Sequence, residues 1–223
     1  MALNLLMLGP PGAGKGTQAE RFARERGIPK ISTGDILREA VANKTETGLK
    51  AKAIMDRGEL VSDEVMIGIV GERLERDDAA SGFVLDGFPR TVAQAAALDQ
   101  IMAERDPLIV VDIVVPEDEL VRRLGTRSIC RLCGANAAVG SAVGAACLKC
   151  GGRLVQRTDD NQAVVLERLK VYHRQSEPLV EYYRVRPTFR SIDGAQTPDR
   201  VAADLVAAIE AAGNGAVRHG ARG

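Results

Sequence analysis

Short apolar stretches alternate along this chain with longer segments in which apolar positions recur every three or four residues. The first stretch, 3–8, is almost unbroken and precedes an amphipathic segment from Lys15 to Arg26 that stops before Gly27. Further short strands are predicted at 28–31, 83–86, 108–115 and 188–192. Strands rich in Val, Ile and Leu on both faces are those of a parallel sheet covered by helices. Between 35 and 75 there is no strand pattern, only helical segments broken at 43–48 and 58–62, which predicts a small helical insertion beside the sheet. Ser32 or Thr33 caps a helix carrying Arg38, and Ser62-Asp63-Glu64 is a second helix start with acidic charge at the positive end of the dipole. A helix follows Pro116, a long one spans 161–183 with an interruption just before Pro178, and an amphipathic one closes the pattern at 198–211. Residues 213–223 are rich in Gly and charge without periodicity and predict a frayed tail.

The connection from the first strand to the first helix reads Gly9-Pro10-Pro11-Gly12-Ala13-Gly14-Lys15-Gly16-Thr17. Four glycines let the backbone approach an anion closely, so that consecutive N–H groups and the helix N-terminus point at phosphate oxygens, and Lys15 adds a point charge. The pattern G-x4-G-K-[ST] is matched through Lys15, but Gly16 stands where Ser or Thr is usual and the hydroxyl arrives at Thr17. A glycine-rich strand–helix junction can be merely a tight turn, but the lysine in this context argues for a phosphate site.

Composition adds limits rather than chemistry. A chain of 223 residues that is 45% hydrophobic can bury a full core. Lys plus Arg equals Asp plus Glu at 30 each, which gives no basic excess to favour nucleic acid or an acidic membrane surface. Arg outnumbers Lys 23 to 7, a bias that suits bidentate phosphate recognition. With no span-length apolar run and no basic leader, the expected compartment is the cytoplasm. His173 and His219 carry no pairing signal and read as surface or packing residues.

The four cysteines form a second signal. Cys130-x2-Cys133 and Cys147-x2-Cys150 each present two thiolates at the spacing of a zinc knuckle, and Gly134 and Gly151 follow directly. The intervening sequence has no aromatic residue and little large apolar surface, so metal ligation rather than burial would hold this lobe together. Four protein ligands leave no open position, which makes the zinc structural.

Phosphoryl transfer needs two anionic groups in line, cations around the migrating phosphoryl and exclusion of water. The glycine loop and Lys15 can hold a triphosphate, Asp86 at a strand end can orient Mg2+ through its waters, and arginines can converge from several loops. No His, Asp or Glu constellation demands a general base, as expected when the acceptor is itself an anionic monophosphate.

Several separated motifs now point to one family. GPPGAGKGT at 9–17, STGDILR at 32–38, LDGFPRT at 85–91 with Gln94, RLGTR at 123–127, the four cysteines and RTDD at 157–160 resemble the adenylate kinases of bacterial type with a long, zinc-bearing lid, and the resemblance covers residues 1 to about 211. It implies an α/β, P-loop nucleoside triphosphate hydrolase-like core with a five-stranded parallel sheet (1–31, 62–125 and 162–211), a helical monophosphate-binding domain (32–61), a four-cysteine zinc lid (126–161) and a flexible tail (212–223). It implies ATP phosphates at Gly12, Ala13, Gly14, Lys15, Gly16 and Thr17, with Arg123, Arg127, Asn136 and Ala137 from the lid side and Gln196 near the base. It implies AMP at Thr33, Arg38, Glu59, Leu60, Val61, Gly87, Phe88, Pro89, Arg90 and Gln94, the last reading the adenine edge. Arg157 and Arg168 would bridge both phosphates, so that Lys15, Arg90, Arg127, Arg157 and Arg168 form the catalytic set. Asp159 and Asp160 would serve the lid hinge or the metal waters. The implied cofactors are Mg2+ and structural Zn2+, the partners ATP, AMP and ADP, and the state a monomer.

One departure stands out. Zinc-lid relatives carry a Thr-Tyr-His-like segment where this chain reads Asn136-Ala137-Ala138, so backbone contacts to ATP are expected there but no aromatic one. The rival readings are a kinase for another nucleoside monophosphate and a nucleotide-switched zinc-ribbon regulator. Against the second, the lobe lacks stacking aromatics and residues 134–146 carry no basic charge.

Overall fold

The computed structural model describes residues 2–137, 141–157 and 160–220. The apolar run Leu3–Leu8 is β1, the central strand. It pairs in parallel with β3 (Gly82–Asp86) on one side and β4 (Leu108–Val114) on the other. β2 (Lys30–Ser32) and β7 (Phe189–Asp193) complete a five-stranded sheet in the order β2-β3-β1-β4-β7. Apolar residues on both faces explain the unbroken patterns: Leu6, Phe83, Leu85 and Val110 pack into one core, and Leu5, Met7, Val84 and Val111 into the other.

α1 (Lys15–Arg26) and α9 (Pro198–Gly220) cover the second core, while α4 (Asp63–Leu74), α5 (Val92–Ile101) and α8 (Pro178–Arg184) pack on the first. The helical insertion is present as α2 (Thr33–Ala42) and α3 (Glu46–Asp56), which precede α4. α6 (Glu117–Gly125) leads to a lobe built on the antiparallel pair β5 (Ser128–Cys130) and β6 (Leu154–Gln156), and α7 (Gln162–Val171) returns the chain to the core.

Two boundaries differ from the expectation, and two other expectations become specific. β2 begins at Lys30 rather than 28, because Pro29 has no N–H to give the ladder, although its carbonyl accepts from Val84 N at 2.9 Å. Ser32 rather than Thr33 caps α2, accepting from Asp35 N at 3.3 Å. The interruption before Pro178 is a π-helical turn, Tyr172–Ser176, and Pro178 then takes the first helical position, where its missing N–H costs nothing. The closing helix continues past Ala211 to Gly220, in place of the expected coil from 213: its alanines favour helix, and each interior glycine costs only about 1 kcal/mol.

Candidate active site

The C-terminal ends of β1, β2 and β3 open into one cleft of about 1010 Å³, roofed by the lid lobe and flanked by the helical insertion. Although the whole chain is electrically balanced, among the described residues nine basic ones line this cleft (Lys15, Lys30, Arg38, Arg90, Arg122, Arg123, Arg127, Arg157, Arg168) against four acidic ones (Asp35, Glu59, Asp86, Glu119). Such an imbalance in a concave site favours polyanions.

At one end lies the glycine loop. Gly9 has φ +132°, and a Cβ there would sit 2.6 Å from the carbonyl oxygen of Ile113, so no other residue fits between β1 and β4. Gly14 caps α1 in the left-handed conformation without a side-chain hydrogen bond, and Lys15, Gly16 and Thr17 of the first turn line the cleft. The Lys15 ammonium donates to the carbonyls of Gly9 at 2.6 Å and Pro10 at 2.8 Å. Burial pushes its pKa down to about 8, against the pull of Asp86 and helped by the charges of Arg90, Arg168 and Arg127. A Cβ at Gly16 would come 3.2 Å from Asp86 Oδ2 and 3.5 Å from Asn136 Nδ2. A side chain at this position would crowd the Asp86 carboxylate.

At the other end, Thr33 Oγ1 donates to Gly87 O at 2.7 Å, and Arg90 Nε donates to the same carbonyl at 2.8 Å. The loop Gly87-Phe88-Pro89-Arg90 carries a cis Phe88–Pro89 peptide bond. Arg38 pairs with Asp35, whose carboxyl is pushed up by desolvation but held at about 2 by Arg38, Lys30 and the Ser32 hydroxyl. Glu59, Leu60, Val61, Gly87, Pro89 and Gln94 join this wall. Phe88 does not: its ring is 1% exposed and packed in the core, so only its backbone belongs to the loop.

Between the two ends stand the arginines. Arg127 donates from Nε and Nη2 to Asp160 at 2.7 and 2.5 Å, and Arg168 Nη1 donates to the same carboxylate at 3.0 Å. Arg123 is held on α6 by Glu119 at 2.7 Å, and Arg157 lines the cleft beside them. Gly12, Ala13, Thr17, Ala137 and Gln196 also line it, with Gln196 tied to Asp204 at 2.8 Å. Ala138 and Asp159 lie outside the described residues. His173 is half exposed between Glu117 and Glu177, at 3.3 and 3.2 Å, away from the cleft.

In the lid the four Sγ atoms lie within 4.8 Å of one another, with Cys130 and Cys150 at 3.4 Å and Cys133 and Cys147 at 3.8 Å. A tetrahedral site with Zn–S of about 2.3 Å separates its sulfurs by about 3.8 Å, so the cluster fits zinc. Leu132 N and Lys149 N donate to Cys130 and Cys147 at 3.4 Å, as knuckle thiolates require.

Two residues of the site were not singled out by motif. Asp63, read only as helix-start charge, instead accepts from Thr91 and Gln94 at 2.9 and 2.7 Å, while Ser62 caps α4 without a side-chain hydrogen bond. Ser176, in the π-helical turn, donates to Arg90 O at 2.8 Å. Both contacts span long sequence separations, and neither has a local signal.

A glycine loop on the central strand of a parallel sheet, a lysine at its end, an acidic strand terminus and arginines between two anion pockets define a P-loop phosphoryl transferase with donor and acceptor sites in one cleft. Relatives agree. The family model described as adenylate kinase matches residues 7–188. The adenylate kinase of Archaeoglobus fulgidus is 52% identical over 216 residues, covering 93% of this chain and 98% of its own. That of Geobacter sp. strain M21 is 50% identical over 214 residues, with 94% and 100% covered. That of Geobacillus sp. strain WCH70 is 51% identical over 211, with 91% and 96% covered. The chain belongs to the adenylate kinase family, and the regulator reading of the cysteine lobe falls away.

Proposed function

We propose that this protein catalyses the reversible transfer of the terminal phosphoryl group of MgATP to AMP, giving two ADP, and so balances adenine nucleotides. The observation that carries this reading is the placement of the Arg127–Asp160–Arg168 cluster between the glycine loop and the Thr33–Arg38–Gln94 wall. The glycine loop and Lys15 hold the donor phosphates, with Arg123, Asn136 and Ala137 above them and Gln196 toward the base. Thr33, Arg38, Arg90 and Gln94 hold the acceptor, lined by Glu59, Leu60, Val61, Gly87 and Pro89. Arg90, Arg127, Arg157 and Arg168 surround the migrating phosphoryl, whose charge they neutralise while the lid keeps water out. The acceptor phosphate is already anionic, so no base is required.

Asp86, beside Gly16, is the carboxylate suited to Mg2+ through water; when bound, the ion neutralises phosphate charge. The cysteines hold zinc structurally. The protein is read as a monomer, and a thiolate metal site suits the reducing cytoplasm.

The test is ADP formation from MgATP with AMP, UMP, CMP or GMP offered in parallel, with metal content measured on the same sample. Strong preference for AMP is expected. Preference for another monophosphate would keep the mechanism and overturn the acceptor.

A further inference from the structure

Gln94 is 1% exposed yet lines the cleft near Thr33 and Arg38. A side-chain amide has one accepting and one donating end, and here each end meets a group that tolerates only one of them. Oε1 accepts from the backbone N–H of Arg90 at 2.7 Å, a group that can only donate. Nε2 donates to Asp63 Oδ1 at 2.7 Å, and an ionised carboxylate can only accept. Turning the amide over would set a carbonyl oxygen against a carboxylate and an NH2 against an N–H.

The carboxylate is itself held. Its other oxygen accepts from Thr91 Oγ1 at 2.9 Å, and that hydroxyl accepts from Gln94 N at 3.2 Å as the cap of α5. Asp63, Thr91 and Gln94 thus form a closed ring of hydrogen bonds joining the first turn of α4 to the first turn of α5.

After these bonds the amide retains one N–H and one Oε1 lone pair. A 6-aminopurine presents an N–H on N6 beside an accepting N1; a 6-oxopurine presents an accepting O6 beside an N1–H. The two edges are opposites, so they require opposite orientations of the same amide. We infer that Asp63 is a specificity-determining positioning residue: by holding the Gln94 amide one way round, it makes the acceptor pocket select a 6-aminopurine monophosphate over a 6-oxopurine one. This deepens the AMP reading above and rests on it. Selection comes from the penalty on the wrong edge, which would leave buried polar groups opposed.

The experiment measures kcat/KM for AMP and for IMP, with MgATP as donor, in the wild type, Asp63→Asn and Asp63→Glu, with a thermal melt of each. IMP differs from AMP at the 6-position and N1 without adding a 2-amino group. In Asp63→Asn the new amide can donate to a turned Gln94, which leaves the Arg90 N–H as the one remaining hold on its orientation, so the AMP-to-IMP ratio falls by up to about tenfold. The fall comes through a raised KM for AMP while KM for ATP stays put, and Asp63→Glu, which keeps the carboxylate, retains the ratio. A variant that melts like the wild type and keeps the ratio overturns the inference. So does equal loss of AMP and IMP turnover, the mark of a purely structural residue. If Asp63→Asn does not fold, Thr91→Val removes the second hold on the carboxylate and reads the same ratio: a fall supports the inference, no change overturns it. A wild type that does not use AMP overturns the AMP reading, and this inference with it, and is told apart because it shows before any variant is compared.

Discussion

Arg127 turns two of its nitrogens onto one buried carboxylate, that of Asp160, with Nε at 2.7 Å and Nη2 at 2.5 Å. The Asp160 side chain has no exposed surface and also accepts from Arg168 at 3.0 Å, so this anion lies between two cations that would otherwise repel. Asp160→Asn keeps the shape but loses the charge and turns an NH2 toward a guanidinium. Breaking a buried pair on one side costs about 3–5 kcal/mol. The expected result is a urea midpoint well below the wild type and a fall in kcat at saturating substrates. Full kcat in the folded variant would show that the substrate phosphates alone position these arginines.

Lys15, proposed to hold the donor phosphates, should make their binding pH-dependent. Its ordinary value is 10.5 and its value in the folded protein about 8. Below about pH 8 it is charged in both folded and unfolded chains. Between about 8 and 10.5 the unfolded chain binds more protons, so this group adds to the stability of the free protein as pH rises through that window. Phosphate binding runs the other way, because the polyanion needs the ammonium: affinity for MgATP should fall above about pH 8, and binding there should take up a proton. Calorimetry at pH 8.5 to 9 in buffers of different ionisation heat reads the uptake directly. Lys15→Met should abolish it and weaken binding by about 10 to 100-fold; uptake unchanged in that variant would assign the proton to another group.

Much of this architecture is legible in the amino-acid pattern because its causes are local. The apolar runs need burial on two faces, the glycine loop needs left-handed backbone, and two Cys-x2-Cys turns need a common ion. The cleft-lining positions followed from motif resemblance, and all but the Phe88 ring line the cleft. What stayed hidden is the support beneath them. Asp63 and Gln94 lie 31 positions apart, and Ser176 and Arg90 lie 86 apart, distances over which no periodicity or capping rule operates. The continuation of the last helix beyond Ala211 is hidden for another reason: its glycines mimic a helix end, while flanking alanines sustain the helix.

The four-cysteine lobe, if it holds the proposed zinc, should depend on its metal more than on its packing. Among the described residues its apolar core is Cys130, Cys147 and Leu154, with Ala135 and Ala137 against them. Replacing Cys130 with Ser removes one ligand and should release the metal, lowering the melting temperature by about 10 °C, the equivalent of a few kcal/mol in a domain of this size. Turnover at low temperature should suffer much less, since no cysteine lines the cleft among the described residues. Metal analysis alongside the melt decides it: unchanged melting after metal loss would remove the structural role.

Gly16 separates a packing requirement from a backbone one. It lies in the first turn of α1 without positive φ, so a side chain is tolerated by the backbone, and replacing glycine by alanine inside a helix gains up to about 1 kcal/mol. The new Cβ, however, would sit 3.2 Å from Asp86 Oδ2 and 3.5 Å from Asn136 Nδ2. Asp86, the carboxylate proposed for Mg2+, must then give way by a few tenths of an ångström, while the contact with Asn136 on the lid side is an ordinary one. Gly16→Ala should therefore melt at or above the wild-type temperature while losing about tenfold in kcat, because small misplacements in a preorganised site are felt strongly in rate. Gly16→Thr, larger in the same direction, should lose more. Wild-type turnover in both variants would mean that the approach of Asp86 to Asn136 across this glycine has no part in the reaction.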